Sequence, residues 1–494
     1  MASQYHLKKS CAMTNLYENL LFPSLRQMMH EKSESYESLR ERHVQIMWLE
    51  QKFFTLLHTT QGFPIQILSP GIWNAEAGPD FLKAHIKIGQ QELRGDIELH
   101  LTARQWEEHK HNRDSRYNQV ILHVAFWEDK QEKELFTSLG ESIYQCYLEK
   151  SLTIPIPKIC QSIDIELYPY EQFVGSGRCA EEIFQKISED DLKTLFTSAS
   201  RWRLKQKWAH LNAEITDPSL RFLTGIAGVL GYKNNTAAFQ QLFQWIFPFR
   251  QLPKENLLVL AMGVCGFFNT HFQNLWKDSV YYQQLFHIFL STFSHLTLPQ
   301  FKLHLHQIRP FNHPVRRLAL LLELVCNESF LTLEHALNAF WERSWREISN
   351  EKEGGLFYKQ LMLHFPQFIS TYWSTHYTFE EKAQENSLSL LGDDLKGKIL
   401  LNVFCPALFH RISLKEDLEQ LSAFHLFYSS IPHFPSRKTR YLIHRFFGNM
   451  TRGKCMKQGV IEQGAYQLHR DFCLHYEASC IGCPFVDRYH ASQK

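Results

Sequence analysis

Asp80, Asp96, Glu98 and His100 are the residues of this chain whose types and spacing best suit catalysis. Pro79-Asp80 is followed, after fifteen residues, by Asp96-Ile97-Glu98-Leu99-His100. In an extended strand alternate side chains share a face, so Asp96, Glu98 and His100 should line one side and Ile97, Leu99 and Leu101 the other. Asp80 opens the preceding segment and comes close if the two pair as a hairpin. Mg²⁺ takes hard oxygen ligands, often one or two carboxylates with waters and a substrate phosphate. Asp80 and Glu98 suit that role, with the Leu99 carbonyl as a third oxygen and Asp96 assisting. A metal so held activates water and offsets charge on a phosphate. His100 would serve as a protonated cation, as a base, or as a ligand. The alternative is a solvated strand face with no chemistry.

The elements needed to position these residues are legible around them. Apolar residues recur at helical spacing over residues 36–57, ending near Gly62. Strands are expected over residues 64–68, 81–88 and 93–101, with Gly95 as an internal kink or bulge. Thr102 is placed to cap a helix through Trp106 and His109, and residues 120–127 form a fourth, apolar strand. The order is αβββαβ. Beyond residue 150 helical patterns dominate. The expected organisation is a leader (1–35), an α+β domain (36–150), a helical domain (151–430) and a basic, cysteine-containing segment (431–494).

The acidic motif and this order resemble the PD-(D/E)xK nucleases, whose restriction-endonuclease-like fold has an αβββαβ core. The resemblance implies a Mg²⁺- or Mn²⁺-dependent nuclease with His100 where that pattern has Lys. Lys83 and Lys87 should face away from Asp80 and make poor substitutes. More of the chain, including Ile65 to Gly71, Asn74, Ala77 to Phe81, Gly95 to His100, Trp106, His109, His111, Tyr117-Asn118 and Val120 to Val124, resembles domain-of-unknown-function family 2851. Lys457 to Gly459 and Cys473 to Cys483 extend the likeness. That family brings no established activity. Gln66 stands where its pattern has an acid.

Other residues extend the candidate site. Glu41 is a possible further acid on the first helix, and Glu76 lies in the loop before Asp80. His109 and His111 suit Zn²⁺ or Mn²⁺ as well as a solvated helix end. His123, inside an apolar run, reads as a hydrogen-bonded core histidine. Near the C-terminus, Cys473, Cys480 and Cys483 with Cys455 offer four thiols for Zn²⁺ or a 4Fe–4S cluster. Arg437, Lys438, Arg440, Arg445, Arg452 and Lys454 lie among aromatics in a stretch without acids, a composition suited to nucleic acid.

Composition excludes several classes. With 494 residues, 21 % charged and 14 % aromatic, the chain suits a packed protein of two or three domains rather than a disordered one. A net charge of +2 supplies no global attraction for nucleic acid, so local patches must carry any such contact. No apolar run reaches the roughly 20 residues of a membrane span, and no signal peptide is evident. Eleven scattered cysteines do not resemble a secreted disulfide framework, so a cytoplasmic location is expected. The two leading readings are a metal-dependent nuclease and a non-catalytic nucleic-acid-binding or scaffold protein on a degenerate nuclease-like fold.

Overall fold

The computed structural model describes residues 16–21, 39–74, 78–128, 133–163, 165, 176–215, 217–232, 235–303, 305, 308, 310–380, 383–448, 452–474, 480 and 483–493. Most of the expected 1–35 leader, and Glu76, lie outside them. The chain forms two units, each discontinuous in sequence. One contains residues 19–187, 436–453 and 468–494; the other contains 1–18, 188–435 and 454–467. The segment 431–494 is thus shared between the units, because its pieces pack on different cores.

The first unit is built on a curled, mixed sheet. Helix α1 (Glu41–Glu50) precedes strands β1 (Leu57–His58), β2 (Pro64–Ser69), β3 (Ile72–Trp73), β4 (Phe81–Ile88) and β5 (Gln91–Thr102). A short helix α2 (Gln105–Glu108) and two 3₁₀ turns lead to β6 (Val120–Trp127), followed by β7 (Leu135–Phe136) and β8 (Ser142–Tyr147). The strand order is β1-β2-β4-β5-β6-β8-β7, with β3 also on β4. β4 and β5 form a hairpin with Ile88 opposite Gln91, and Gly89 takes φ +58° in its two-residue turn. β6 then runs parallel to both β5 and β8.

Strand limits expected at 81–88 and 120–127 match β4 and β6, because apolar alternation and flanking turns bound them sharply. α1 is shorter than the 36–57 pattern. His43 Nδ1 accepts the Arg40 N–H at its start, and left-handed Gln51 ends it. Val44, Met47 and Trp48 of α1 join Phe81, Ile86, Ile97, Leu99, Leu122 and Val124 in one buried core. Gly95 is a site of close approach: a Cβ there would lie 2.5 Å from Ile121 Cγ2 and 2.6 Å from the Gln119 carbonyl.

The second unit is mainly helical. Its longest helix, Glu189–Glu214, begins at Ser188, whose hydroxyl accepts the Asp191 N–H. Further helices run from Arg221–Gly231 to Leu418–Ser429. The apolar run at residues 257–268 lies mostly in the buried helix Lys254–Val264. No described helix is long and apolar enough to cross a membrane.

Candidate active site

The β4–β5 hairpin brings Asp80 beside Glu98. The Asp80 N–H donates to Glu98 Oε2 at 3.0 Å, and Asp80 Oδ2 accepts the Leu99 N–H at 2.9 Å. Asp80 Oδ1 accepts from Gln45 Nε2 at 2.6 Å. Gln45 lies one helical turn beyond Glu41, so α1 delivers an amide and an acid to the same place. Arg42 borders this group and stacks its guanidinium 5.1 Å from the centre of the Trp73 ring.

Burial dominates the electrostatics, with repulsion between acids adding to it at Glu41 and Glu98. Burial, and then Asp80, push Glu41 up to about 8, against the pull of Arg42. Burial pushes Asp80 up to about 7, opposed by the Leu99 N–H, Arg42 and Gln45. Glu98 is held well above the usual carboxylate range by burial, then by Asp80 and Glu41. Asp80 and Glu41 keep partial solvent exposure as residues. Both carboxylate oxygens of Asp80 are nevertheless engaged inside, so its charge is poorly hydrated. Three carboxylates from three elements therefore share a poorly solvated spot, where a cation would relieve them.

Asp96 stands apart. β4 bulges opposite it, between Phe81 and Ala84, where Lys83 takes φ +57°. Asp96 Oδ1 accepts the Lys83 N–H at 3.0 Å and so ties down that bulge. The acids assembled around Glu98 are Asp80 and Glu41.

His100 is buried in a line of imidazoles. Its Nδ1 lies 2.9 Å from His123 Nε2, and its Nε2 lies 3.2 Å from His109 Nδ1 and 3.3 Å from Glu98 Oε1. His123 Nδ1 faces Gln145 Oε1 at 3.4 Å, while Gln145 Nε2 donates to the Tyr147 hydroxyl at 2.6 Å. This orientation assigns the tautomers. His123 carries its proton on Nδ1 for Gln145, so its Nε2 accepts from His100 Nδ1–H. The His100 Nε2 lone pair is left facing Glu98 and His109. Burial and the neighbouring His123, His111 and His109 lower His100 well below the usual histidine range. His100 is therefore neutral, unlike the cation a lysine would supply.

His111 Nε2 approaches Glu98 Oε1 at 3.2 Å, and its ring stacks on Tyr117 with centres 3.8 Å apart. Trp106, fully buried, packs edge-on against His111, Tyr117 and His123. His100, His109 and His111 each offer a nitrogen, all within 4.8 Å of one another. His109 is exposed and gives the group a route to solvent.

The residues found only in three dimensions are Arg42, Gln45 and Gln145. The Glu41/Gln45 spacing was a usable signal. Gln145 lies on β8, a six-residue strand with no clear apolar alternation in the sequence to mark it.

The basic residues of the C-terminal stretch differ in exposure. In the helix Arg437–Phe447, Lys438 and Arg445 are buried, whereas Arg437 and Arg440 are exposed. Their spacing explains this, since one face of an amphipathic helix is drawn into the core. Lys454 is exposed in the other unit, and the Arg452 side chain lies outside the described residues.

The chain belongs to a family of unknown function. The family model described as "Protein of unknown function (DUF2851)" matches residues 41–434. That span begins at Glu41, includes the whole acid–histidine group, and stops before Cys473 to Cys483. No curated protein and no solved structure matches the chain.

Proposed function

We propose that this protein is a metal-dependent phosphodiesterase acting on DNA or RNA. One observation carries the reading: Glu41, Asp80 and Glu98 converge beside the neutral His100, each acid raised by burial, and Glu41 and Glu98 also by their acidic neighbours. An all-oxygen donor set with excess negative charge fits Mg²⁺ or Mn²⁺. Asp80 and Glu98 would hold the ion, with Glu41 as a further acid. A bound ion would supply Lewis acidity toward a phosphate and lower the pKa of water.

The chain's own groups have separate tasks. Leu99 N–H and Gln45 aim the Asp80 carboxylate, and the Asp80 N–H aims Glu98. His100, held in one tautomer by His123 and Gln145, accepts a proton at Nε2 from an attacking water. Nucleic acid as the substrate rests on the likeness of the acidic motif and of the expected αβββαβ order to PD-(D/E)xK nucleases, with β5 and β6 parallel beside the acids. A second reading has a specific basis in the close nitrogens of His100, His109 and His111, which suit Zn²⁺ or Mn²⁺ in another type of hydrolase.

Titration with MgCl₂, MnCl₂ and ZnCl₂, followed by calorimetry, tests both. The first reading expects Mg²⁺ or Mn²⁺ binding that disappears in Asp80→Ala/Glu98→Ala, together with metal-dependent cleavage of single- or double-stranded DNA or RNA. Zn²⁺ binding lost only in His109→Ala/His111→Ala would favour the second. Absence of both metal binding and cleavage would overturn both and leave a non-catalytic binding or scaffold protein.

A further inference from the structure

Cys473, Cys480 and Cys483 meet a fourth thiol that spacing did not reveal. Together with Cys179 they line one small, largely enclosed cavity, walled by Phe472 and Phe485. All four belong to the sheet-containing unit, whereas Cys455 lies in the other. Cys179 is therefore the partner that the fold supplies in place of Cys455.

The backbone around this cavity is unusual at three of the four cysteines. Cys179 immediately precedes the π-turn Ala180–Phe184, and Cys473 ends another, His469–Cys473. Such widened turns are rare and are frequent at functional sites. Cys480 takes φ +56°, a left-handed conformation uncommon for a residue with a side chain. Arg445, itself buried, donates from its guanidinium to Cys480 Sγ at 2.9 Å. Gly177 allows Arg445 this close: a Cβ there would lie 3.3 Å from Arg445 Nε and 3.4 Å from Cys179 Sγ.

Thiols gathered this way suit a shared metal centre better than an ordinary core. Four thiols lining one cavity and a buried guanidinium bonded to one of them supply both the ligands and a counter-charge for a bound metal. A tetrahedral zinc with Zn–S of about 2.3 Å draws its sulfurs onto a single point. The four cysteines here line a cavity between them, and a cubane cluster fills the space between its ligands with four irons.

We propose that Cys179, Cys473, Cys480 and Cys483 ligate a 4Fe–4S cluster. Arg445 balances part of its negative charge and hydrogen-bonds a ligand sulfur, while Phe472 and Phe485 shield it from water. The cluster ties the segment after the sheet to the last turn of the same unit, closing a loop of nearly three hundred residues. This assignment does not depend on the phosphodiesterase reading.

The full chain, purified without oxygen, should show a broad absorbance near about 400 nm that bleaches with dithionite. It should contain about four irons and four acid-labile sulfides per chain. Cys179→Ser should lose the absorbance and most of the iron, as should Cys473→Ser, whereas Cys455→Ser and Cys160→Ser should keep both. One zinc per chain without sulfide, or metal-free wild type even after reconstitution with Fe²⁺ and sulfide, overturns the proposal. Cluster loss in Cys455→Ser with retention in Cys179→Ser overturns the ligand assignment. The wild-type iron and sulfide content remains decisive if a cysteine variant fails to fold.

Discussion

Replacing Glu41 with Gln should make the protein more stable in alkaline buffer and leave it nearly unchanged in mild acid. Glu41 is raised from 4.5 to about 8, so the folded state holds its proton over a range where the unfolded chain has released it. Asp80, raised to about 7, and Glu98 behave alike. Where the folded state binds more protons, stability falls as pH rises. The acid group therefore costs nothing below the unfolded pKa values and progressively more up to about pH 8. At 1.36 kcal/mol per pKa unit, the Glu41 shift corresponds to a cost on the order of a few kcal/mol once it is ionised. Glu41→Gln removes that charge and relieves Glu98. The variant should exceed wild type by about 1–3 kcal/mol near pH 9 and differ little near pH 5. Mg²⁺ should stabilise wild type at alkaline pH and the variant less. Thermal melts followed by circular dichroism from pH 5 to 9, with EDTA or MgCl₂, read all of this. Parallel wild-type and variant curves, or a variant less stable at pH 9, would refute the claim that burial and Asp80 hold the Glu41 carboxyl above its usual range.

Other consequences are independent of Glu41. His111 and His123 are lowered to about 3 and about 4 by burial, so their contribution is complete above the unfolded value near 6.5 and lost as pH falls toward 4. Between pH 7 and pH 4 the wild-type urea midpoint should therefore drop relative to that of His111→Gln, the raised acids acting equally on both; parallel curves would contradict buried neutral rings. Gln145→Leu leaves the His123 Nδ1–H without its acceptor and should cost about 1–3 kcal/mol in chemical denaturation. If the proposed hydrolysis is correct, the same variant should lower kcat more than it raises KM, since His100 loses its fixed tautomer. Gly95→Ala drives a methyl into Ile121 and the Gln119 carbonyl and should cost about 1–3 kcal/mol, whereas Gly62→Ala, with open space but φ +85°, should cost less.

Much of the first unit was legible in the sequence because strands advertise themselves locally. Phe81 to Ile88 and Val120 to Trp127 were bounded correctly by alternation, apolar content and flanking turns. Asp80 and Glu98 also met as hairpin neighbours, which a two-residue turn makes nearly inevitable. What failed was local too, but subtler. One bulge in β4 at Lys83 presents a backbone N–H that engages the Asp96 carboxylate, a partner that alternation along β5 does not reveal. The 437–447 basic stretch was read by composition, whereas burial is decided by helix phase. Lys438 and Arg445 consequently point inward, while Arg437 and Arg440 stay outside.

The sequence by itself determined the secondary elements around Asp80 and Glu98 and the family to which the chain belongs. Only the tertiary structure decided that Glu41 joins them, that His100 is neutral, and that Cys179 rather than Cys455 meets the C-terminal thiols. The reason is the range of the interactions involved. Hydrogen-bonded turns and alternation act over a few residues and leave a pattern in the chain. Desolvation and charge repulsion depend on whichever groups packing brings together, and Cys179 and Cys473 are separated by nearly three hundred positions that no local pattern spans.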